Sequence, residues 1–257
     1  MFKGLFTALG DYRSSFQLMG ELKLWKYFAV PMIISLLIFT AVFSIAWIVS
    51  DDLGRWIAGI WIWETGAETF QTVSTVIAGL VIVVLGFLIY KHLVMALSAP
   101  FMSPVSEKIE KHLYPHIVDD EHYRKTSNAE QLVRGLRMNM RNLTYELLIT
   151  LPLLLLSLIP VVNFVTTPII FLVQSYYAGF GNMDYTLERH YKYKSSVDFV
   201  KNNRGYAMGN GMLFIATALI PVVGVILVLP ISVTAASRTT LRLINARIPA
   251  PVPKPIQ

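Results

Sequence analysis

The sequence predicts an all-α integral membrane protein with two long transmembrane helices, two partly penetrating (re-entrant) helical hairpins and cytoplasmic amphipathic helices. Three observations carry that expectation. Charge is scarce, it is absent from stretches of spanning length, and the charge that flanks those stretches is basic on one side. Of 257 residues, 54% are hydrophobic and 15% charged, whereas soluble domains carry about 25% charged residues. So few charges cannot cover a globule of this size, and lipid must solvate much of its surface. The net charge of +6 then reads as basic residues at membrane borders facing anionic headgroups, not as a nucleic-acid footprint.

Tyr27–Ser50 and Thr69–Tyr90 contain no charge, and each is near the roughly 20 residues needed to cross a hydrocarbon core. They predict transmembrane helices over residues 27–50 and 69–98. Pro31 falls in the first turn of the first helix, where a missing backbone donor does little harm. The run from Tyr27 exceeds the roughly 7–15 residues of a signal-peptide core and begins late, so a cleaved leader is not expected.

Residues 99–143 read as cytoplasmic helices. Val105, Ile109 and Leu113 repeat at i, i+4, i+8, with Glu107, Lys108, Glu110 and Lys111 elsewhere on the wheel. Leu132, Leu136 and Met140 do the same among Arg134, Arg137 and Arg141. Pro115 and the run Asp119-Asp120-Glu121 mark a loop between them.

Two further charge-free stretches, Leu147–Met183 and Gly205–Ser237, are 37 and 33 residues long. That is too long for one straight span and too short for two full spans with a turn, about 40–45 residues. Lys/Arg placement decides their topology. Basic residues precede the first span, eight occupy Lys91–Arg141, and more follow each long stretch, while the link between the spans holds Arg55 against Asp51, Asp52, Glu64 and Glu68. Positive-inside reasoning makes both termini cytoplasmic and returns each long stretch to the side it entered. Hairpins over residues 144–183 and 205–240 follow, with arms of about 14–16 residues that stop short of the far surface at 1.5 Å per residue. Leu158-Ile159-Pro160-Val161-Val162-Asn163 recurs as Leu219-Ile220-Pro221-Val222-Val223-Gly224 and marks the two tips. Polar tips at membrane depth need protein neighbours, which predicts a homo-oligomer. Residues 1–247 form one membrane domain, and the Pro-rich tail 248–257 is expected to be disordered.

Ala99-Pro100-Phe101 followed by Glu107, Glu110 and Leu113 resembles the Ala-Pro-Phe…Glu-x-x-Glu…Leu segment of the CysZ family. Ile159-Pro160-Val161-Val162-Asn163 resembles that family's Ile-Pro turn, as do Asp184-Tyr185, His190 and the second turn at Ile220-Pro221. The resemblance runs in order from about Tyr27 to Arg238. It implies two long transmembrane helices, two partly inserted hairpins and an oligomer. It also implies sulfate uptake for cysteine biosynthesis across a bacterial inner membrane, and a relation to eukaryotic etoposide-induced endoplasmic-reticulum proteins. One departure stands out: the family's Gly-apolar-Arg-Arg anion segment is matched here by Lys23-Leu24-Trp25-Lys26. Two lysines keep the positive charge, but the planar bidentate recognition that arginine gives is lost.

The candidate anion-binding residues are therefore Lys23, Leu24, Trp25 and Lys26, which also fit a membrane border where lysines snorkel. Glu107 and Glu110 with Arg134, Arg137 and Arg141 form a candidate charge network under a pore, or else solvated helix faces. Asn163, Thr166, Thr167, Gln174 and Asn210 are candidate pore polar groups. Glu146, Asp184 and Glu188, at the ends of the first hairpin, are expected at the interface. His112 and His116 lack a third ligand and have Pro115 between them, so no metal is expected. Gly205, Gly209 and Gly211 fit close helix packing and not a nucleotide motif. With no cysteine, no nucleophile–base pair and no cofactor motif, an enzyme is not expected. A passive pathway for sulfate or a related oxyanion is the leading expectation. A bilayer-shaping scaffold without a pore, or a carrier of a different solute, is the alternative.

Overall fold

The computed structural model describes residues 2–58, 82, 85–118, 123–220 and 223–247. Much of the predicted second span, the acidic link residues Glu64 and Glu68, the Asp119-Asp120-Glu121 run, Pro221-Val222 and the C-terminal tail lie outside them.

Every regular element among the described residues is helical. The order is α1 (Phe2–Glu21), a 3-10 turn (Leu24–Phe28), α2 (Ala29–Ala58) and α3 (Leu85–Leu97), then α4 (Ala99–Leu113) and α5 (Pro115–Val118). There follow α6 (Asn128–Leu156), α7 (Pro160–His190), α8 (Tyr193–Asn202), α9 (Arg204–Ala218) and α10 (Val223–Asn245). Among the described residues, three helical stretches are long and apolar enough to cross a membrane: Leu24–Ile45, Pro160–His190 and Ile226–Asn245. A fourth arises if α3 and α4 count as one, bent by 61° at Ser98. Pro100, in the first turn of α4, supplies no backbone donor to bridge that break.

The segment before the first span holds a helix that the sequence reading left undivided. α1 buries Gly4, Ala8, Asp11, Tyr12, Ser15, Leu18 and Met19 along one face, against α9 and α10. Asp11 fastens it there by accepting from Thr239 and Arg242 on α10. Tyr12 donates to the Asn210 carbonyl on α9 at 2.6 Å.

The helix pairs are longer than the charge-free stretches imply. α6 and α7 contain 29 and 31 residues, about 43–46 Å at 1.5 Å per residue, so their apolar ends are only the distal parts of continuous helices. Pro152, Pro168 and Pro230 lie inside helices without ending them, as neighbouring helices allow in apolar surroundings. The tip also sits earlier than the repeat suggests. Ser157–Ile159 make the turn, and Pro160 opens α7 as its first residue, where its fixed φ suits a helix start. Asn163 is thus helical. α6 begins with a reciprocal cap between Ser127 and Glu130. The Ser127 backbone amide and hydroxyl hold the exposed Glu130 carboxyl below the ordinary glutamate range.

α7 packs most extensively against α9, and glycine makes that crossing close. A Cβ added at Gly179 would lie 1.8 Å from the Ala207 carbonyl oxygen, and one at Gly211 would lie 1.7 Å from that of Ser175. Gly209 meets the Leu5 carbonyl in the same way, which tightens α1 against α9. Gly224 sits under the Thr217 carbonyl, so at the second hairpin the absence of a side chain serves close approach. By contrast α2 leaves Met32, Ile33, Leu36, Leu37, Phe43 and Ile45 exposed, the apolar surface of a helix that faces lipid.

Candidate functional site

Among the described residues, four places bring charge or polar chemistry together: the loop after α1, the interior seam along α7, a buried cluster between α3 and α6, and a basic pocket at the start of α6.

The loop ends α1 through Lys23, whose φ of 52° and ψ of 44° are left-handed. It is the one positive-φ residue other than glycine among the described residues. This explains why a glycine suits the matching position of the CysZ-type segment: it stops a helix without a Cβ penalty. Leu24 is fully buried and anchors the turn, while Lys23, Trp25 and Lys26 are exposed. Trp25 stacks on Phe28 at 5.4 Å. Lys26 and Lys108, the latter from α4, both lie over the Tyr27 ring, at 5.5 and 5.4 Å. Lys108 thus joins the predicted lysines in a positively charged face. A left-handed non-glycine residue costs about 1–2 kcal/mol. Lys23→Gly is therefore expected to stabilise the protein by about 1 kcal/mol, raising the thermal midpoint in detergent by about 2–4 °C; an unchanged or lower midpoint refutes the strain.

Along α7, Ser175, Asn182, Thr186 and Arg189 recur on one buried face. Ser175 donates to the Phe171 carbonyl within the helix, and the other three meet polar groups from α4, α9 and α10. Asn182 donates to the Asn210 side chain at 2.9 Å, and Asn210 donates to the Ser232 carbonyl at 2.9 Å. Thr186 hydrogen-bonds Ser106 at 2.7 Å and Ser237 at 3.1 Å. Arg189 donates to Ser106 at 2.7 Å and to Glu110 at 2.9 Å, and His190 bonds the other Glu110 oxygen. Glu110 is wholly buried and not on a solvated face, while Glu107 is half-buried and pairs with Lys111 at 2.6 Å.

A second buried cluster joins α3 to α6. Lys91, His92 and Glu146 are at most 2% exposed. The Lys91 ammonium meets one Glu146 oxygen, and His92 Nε2 meets the other at 2.8 Å. His92 Nδ1 lies 3.2 Å from Asn139 Oδ1. Glu146, Asp184 and Glu188 are therefore interior groups. Buried charges need partners of this kind.

The predicted arginines do not share one network with Glu107 and Glu110. Arg134 clasps Asp184 through two bonds of 3.0 and 2.7 Å and also donates to the Tyr191 carbonyl and Ser196. Arg137 lies over the Tyr193 ring at 4.2 Å, and Arg141 over Phe180 at 5.1 Å. A pocket of about 440 Å³ opens beside Arg134 and Arg137, and Arg124 and Lys192 complete a basic lining that includes one carboxylate, Glu130. Of the polar candidates, Asn210 belongs to the seam. Gln174 and Thr166 are buried elsewhere on α7, and Asn163 is exposed near the tip, bonded by Thr167 at 2.6 Å.

Sequence reasoning passed over Lys91, His92, Arg189 and Lys192 as functional groups. The first two follow the charge-free run Thr69–Tyr90 and Glu146 precedes the run Leu147–Met183, and charges abutting such runs were the signal available.

A protein of Pseudomonas paraeruginosa named sulfate transporter CysZ is 30% identical over 162 residues, 62% of this chain and 64% of the relative. A protein of the same name from Pseudomonas fluorescens is 28% identical over 152 residues, 59% of this chain and 60% of the relative. The matches thus span somewhat less than two thirds of these relatives' length. The family model described as sulfate transporter CysZ/etoposide-induced protein 2.4 matches residues 12–229, most of the sequence, and the chain belongs to that family.

Proposed function

We propose that this protein is a passive pathway for sulfate or a related oxyanion across a bacterial inner membrane, working as a homo-oligomer with both termini in the cytoplasm. The observation that carries the reading is the basic pocket at the start of α6. Arg124, Arg137 and Lys192 outnumber the one carboxylate in its lining, Glu130, while Arg134 is already matched by Asp184. Arg137 is steadied by the Tyr193 ring, and a guanidinium held in place presents paired donors to a tetrahedral oxyanion. The names of the relatives point to sulfate. The hydroxyl and amide groups of the seam supply neutral donors, which an anion needs once it leaves water. Exposed apolar residues at the first hairpin tip, Val161 and Phe164 at 81% and 85%, support insertion of that hairpin and contact with lipid or other subunits.

The test is radiolabelled sulfate uptake into proteoliposomes, with chloride and phosphate as competitors. Saturable, sulfate-preferring uptake is expected. Arg137→Ala with Lys192→Ala is expected to lower uptake at limiting sulfate about tenfold or more, the effect of losing a hydrogen bond to a charged group. Lys23→Ala with Lys26→Ala examines the loop after α1 in the same assay. Uptake unchanged in the first pair refutes the pocket as a sulfate site. No flux of any anion, in vesicles where insertion is demonstrated, refutes the transport reading and favours a bilayer-shaping role.

A further inference from the structure

A second groove has a different chemistry. It occupies about 590 Å³ and runs between α6, α7 and α9. Its walls are Ile149, Ile169, Leu172, Val173 and Met208. Ile149 and Ile169 are 41% and 40% exposed, so the groove opens outward within the apolar belt. At one end stand Lys201, in the last turn of α8, and Arg204, the first residue of α9. Between the walls and the cations sit Tyr176 and Tyr177, whose rings are apolar and whose hydroxyls are not, as at membrane–water interfaces. Seven residues separate Ile169 from Tyr176 on α7, about 10 Å of helix. The groove is thus polarised along its length, with positive charge at the end toward the cytoplasmic link and hydrocarbon toward the hairpin tip.

The two cations differ from three arginines that are paired within the helix core. Arg134 is matched by Asp184, Arg189 by Glu110 and Arg242 by Asp11. Lys201 and Arg204 make no ion pair or hydrogen bond with a described residue. An unneutralised pair of cations at the head of an apolar trough suits a ligand with an anionic head and a hydrocarbon body. A free oxyanion makes no use of the walls, and a zwitterionic lipid gains little from the cations. We propose that this groove is a binding site for one anionic phospholipid, its phosphate between Lys201 and Arg204 and an acyl chain along Ile169, Leu172 and Val173. Basic pockets at helix ends on the cytoplasmic side recognise anionic headgroups by this combination. The site is separate from the proposed sulfate pocket, so sulfate flux can fail without touching it.

The experiment is native mass spectrometry of the full chain in detergent, titrated with phosphatidylglycerol or phosphatidylcholine. Phosphatidylglycerol is expected to stay bound where phosphatidylcholine is stripped. Lys201→Ala with Arg204→Ala is expected to weaken phosphatidylglycerol about 30-fold. Leu172→Trp fills the trough without altering charge and is expected to weaken it as well. Inorganic phosphate at the lipid's concentration is expected to displace nothing. Equal retention of the two lipids, displacement by phosphate, or full phosphatidylglycerol binding in the double variant overturns the proposal. So does Leu172→Trp changing the oligomer mass while lipid binding stays intact, which assigns the groove to a second copy of the chain. If the double variant does not fold, the two-lipid comparison and Leu172→Trp still decide.

Discussion

Glu146→Leu is expected to destabilise the protein by about 3–5 kcal/mol, the cost of removing one partner from a buried ion pair. Glu146 is wholly buried on α6, and both of its oxygens are engaged from α3, one by the Lys91 ammonium and one by His92. Leucine satisfies the packing but leaves a fully buried ammonium without an anion, and also orphans His92 Nε2. The thermal midpoint in detergent should fall by about 10 °C, taking about 2–4 °C per kcal/mol for a chain of this size. A second variant isolates the cause. Lys91→Met with Glu146→Leu removes both charges, and exchanging a buried pair for apolar residues of similar size is often close to neutral. Most of the loss should therefore return, except what His92 contributes. An unaltered midpoint in Glu146→Leu contradicts the buried pair, and a double variant no better than the single one shows that shape, not charge, set the cost.

That cluster also shows where the sequence could and could not be read. Apolar runs and one-sided lysine and arginine placement were enough for an all-helical membrane protein, because the bilayer imposes length and hydropathy on each segment independently of its neighbours. Small residues on α9 were legible as packing surfaces for the same local reason, and Gly209 and Gly211 do meet backbone of α1 and α7. Pairing between distant helices was not legible. Glu110 and Arg134 look alike on a helical wheel, yet one is satisfied by Arg189 and the other by Asp184, residues 79 and 50 positions away. Proline misled in a defined way. Pro160 starts a helix while Pro168 sits inside one, and only the surrounding helices settle which role a proline takes. α1 was hidden for another reason. Its buried face mixes Gly4, Ala8, Asp11 and Ser15 with Leu18 and Met19, so small and polar residues blur an apolar stripe of helical period.

Gly211→Ala is expected to be the most disruptive single-methyl change in the fold. In apolar surroundings, helices associate by close packing of small residues, because burial from lipid adds little. Gly179 and Gly211 let the α7 and α9 backbones meet directly, and the added methyl would sit 1.7 Å from the Ser175 carbonyl oxygen. Backbone cannot rotate aside as a side chain can, so the helices must separate along the whole crossing. That parts Asn182 from Asn210 and loosens the polar seam. A cost of about 3 kcal/mol, the upper end for overpacking a core, is expected in the thermal midpoint. Gly179→Ala should cost a similar amount, and the pair together less than the sum, since the first substitution already opens the gap. Gly10→Ala supplies the contrast: on α1 the same methyl meets nothing within 4 Å, so helix propensity alone acts and should stabilise by about 0.5–1 kcal/mol. If Gly211→Ala and Gly10→Ala shift the midpoint in the same direction, the close crossing of α7 and α9 is wrong. If they shift it in opposite directions, with Gly211→Ala also lowering sulfate uptake, the crossing is what keeps the seam aligned.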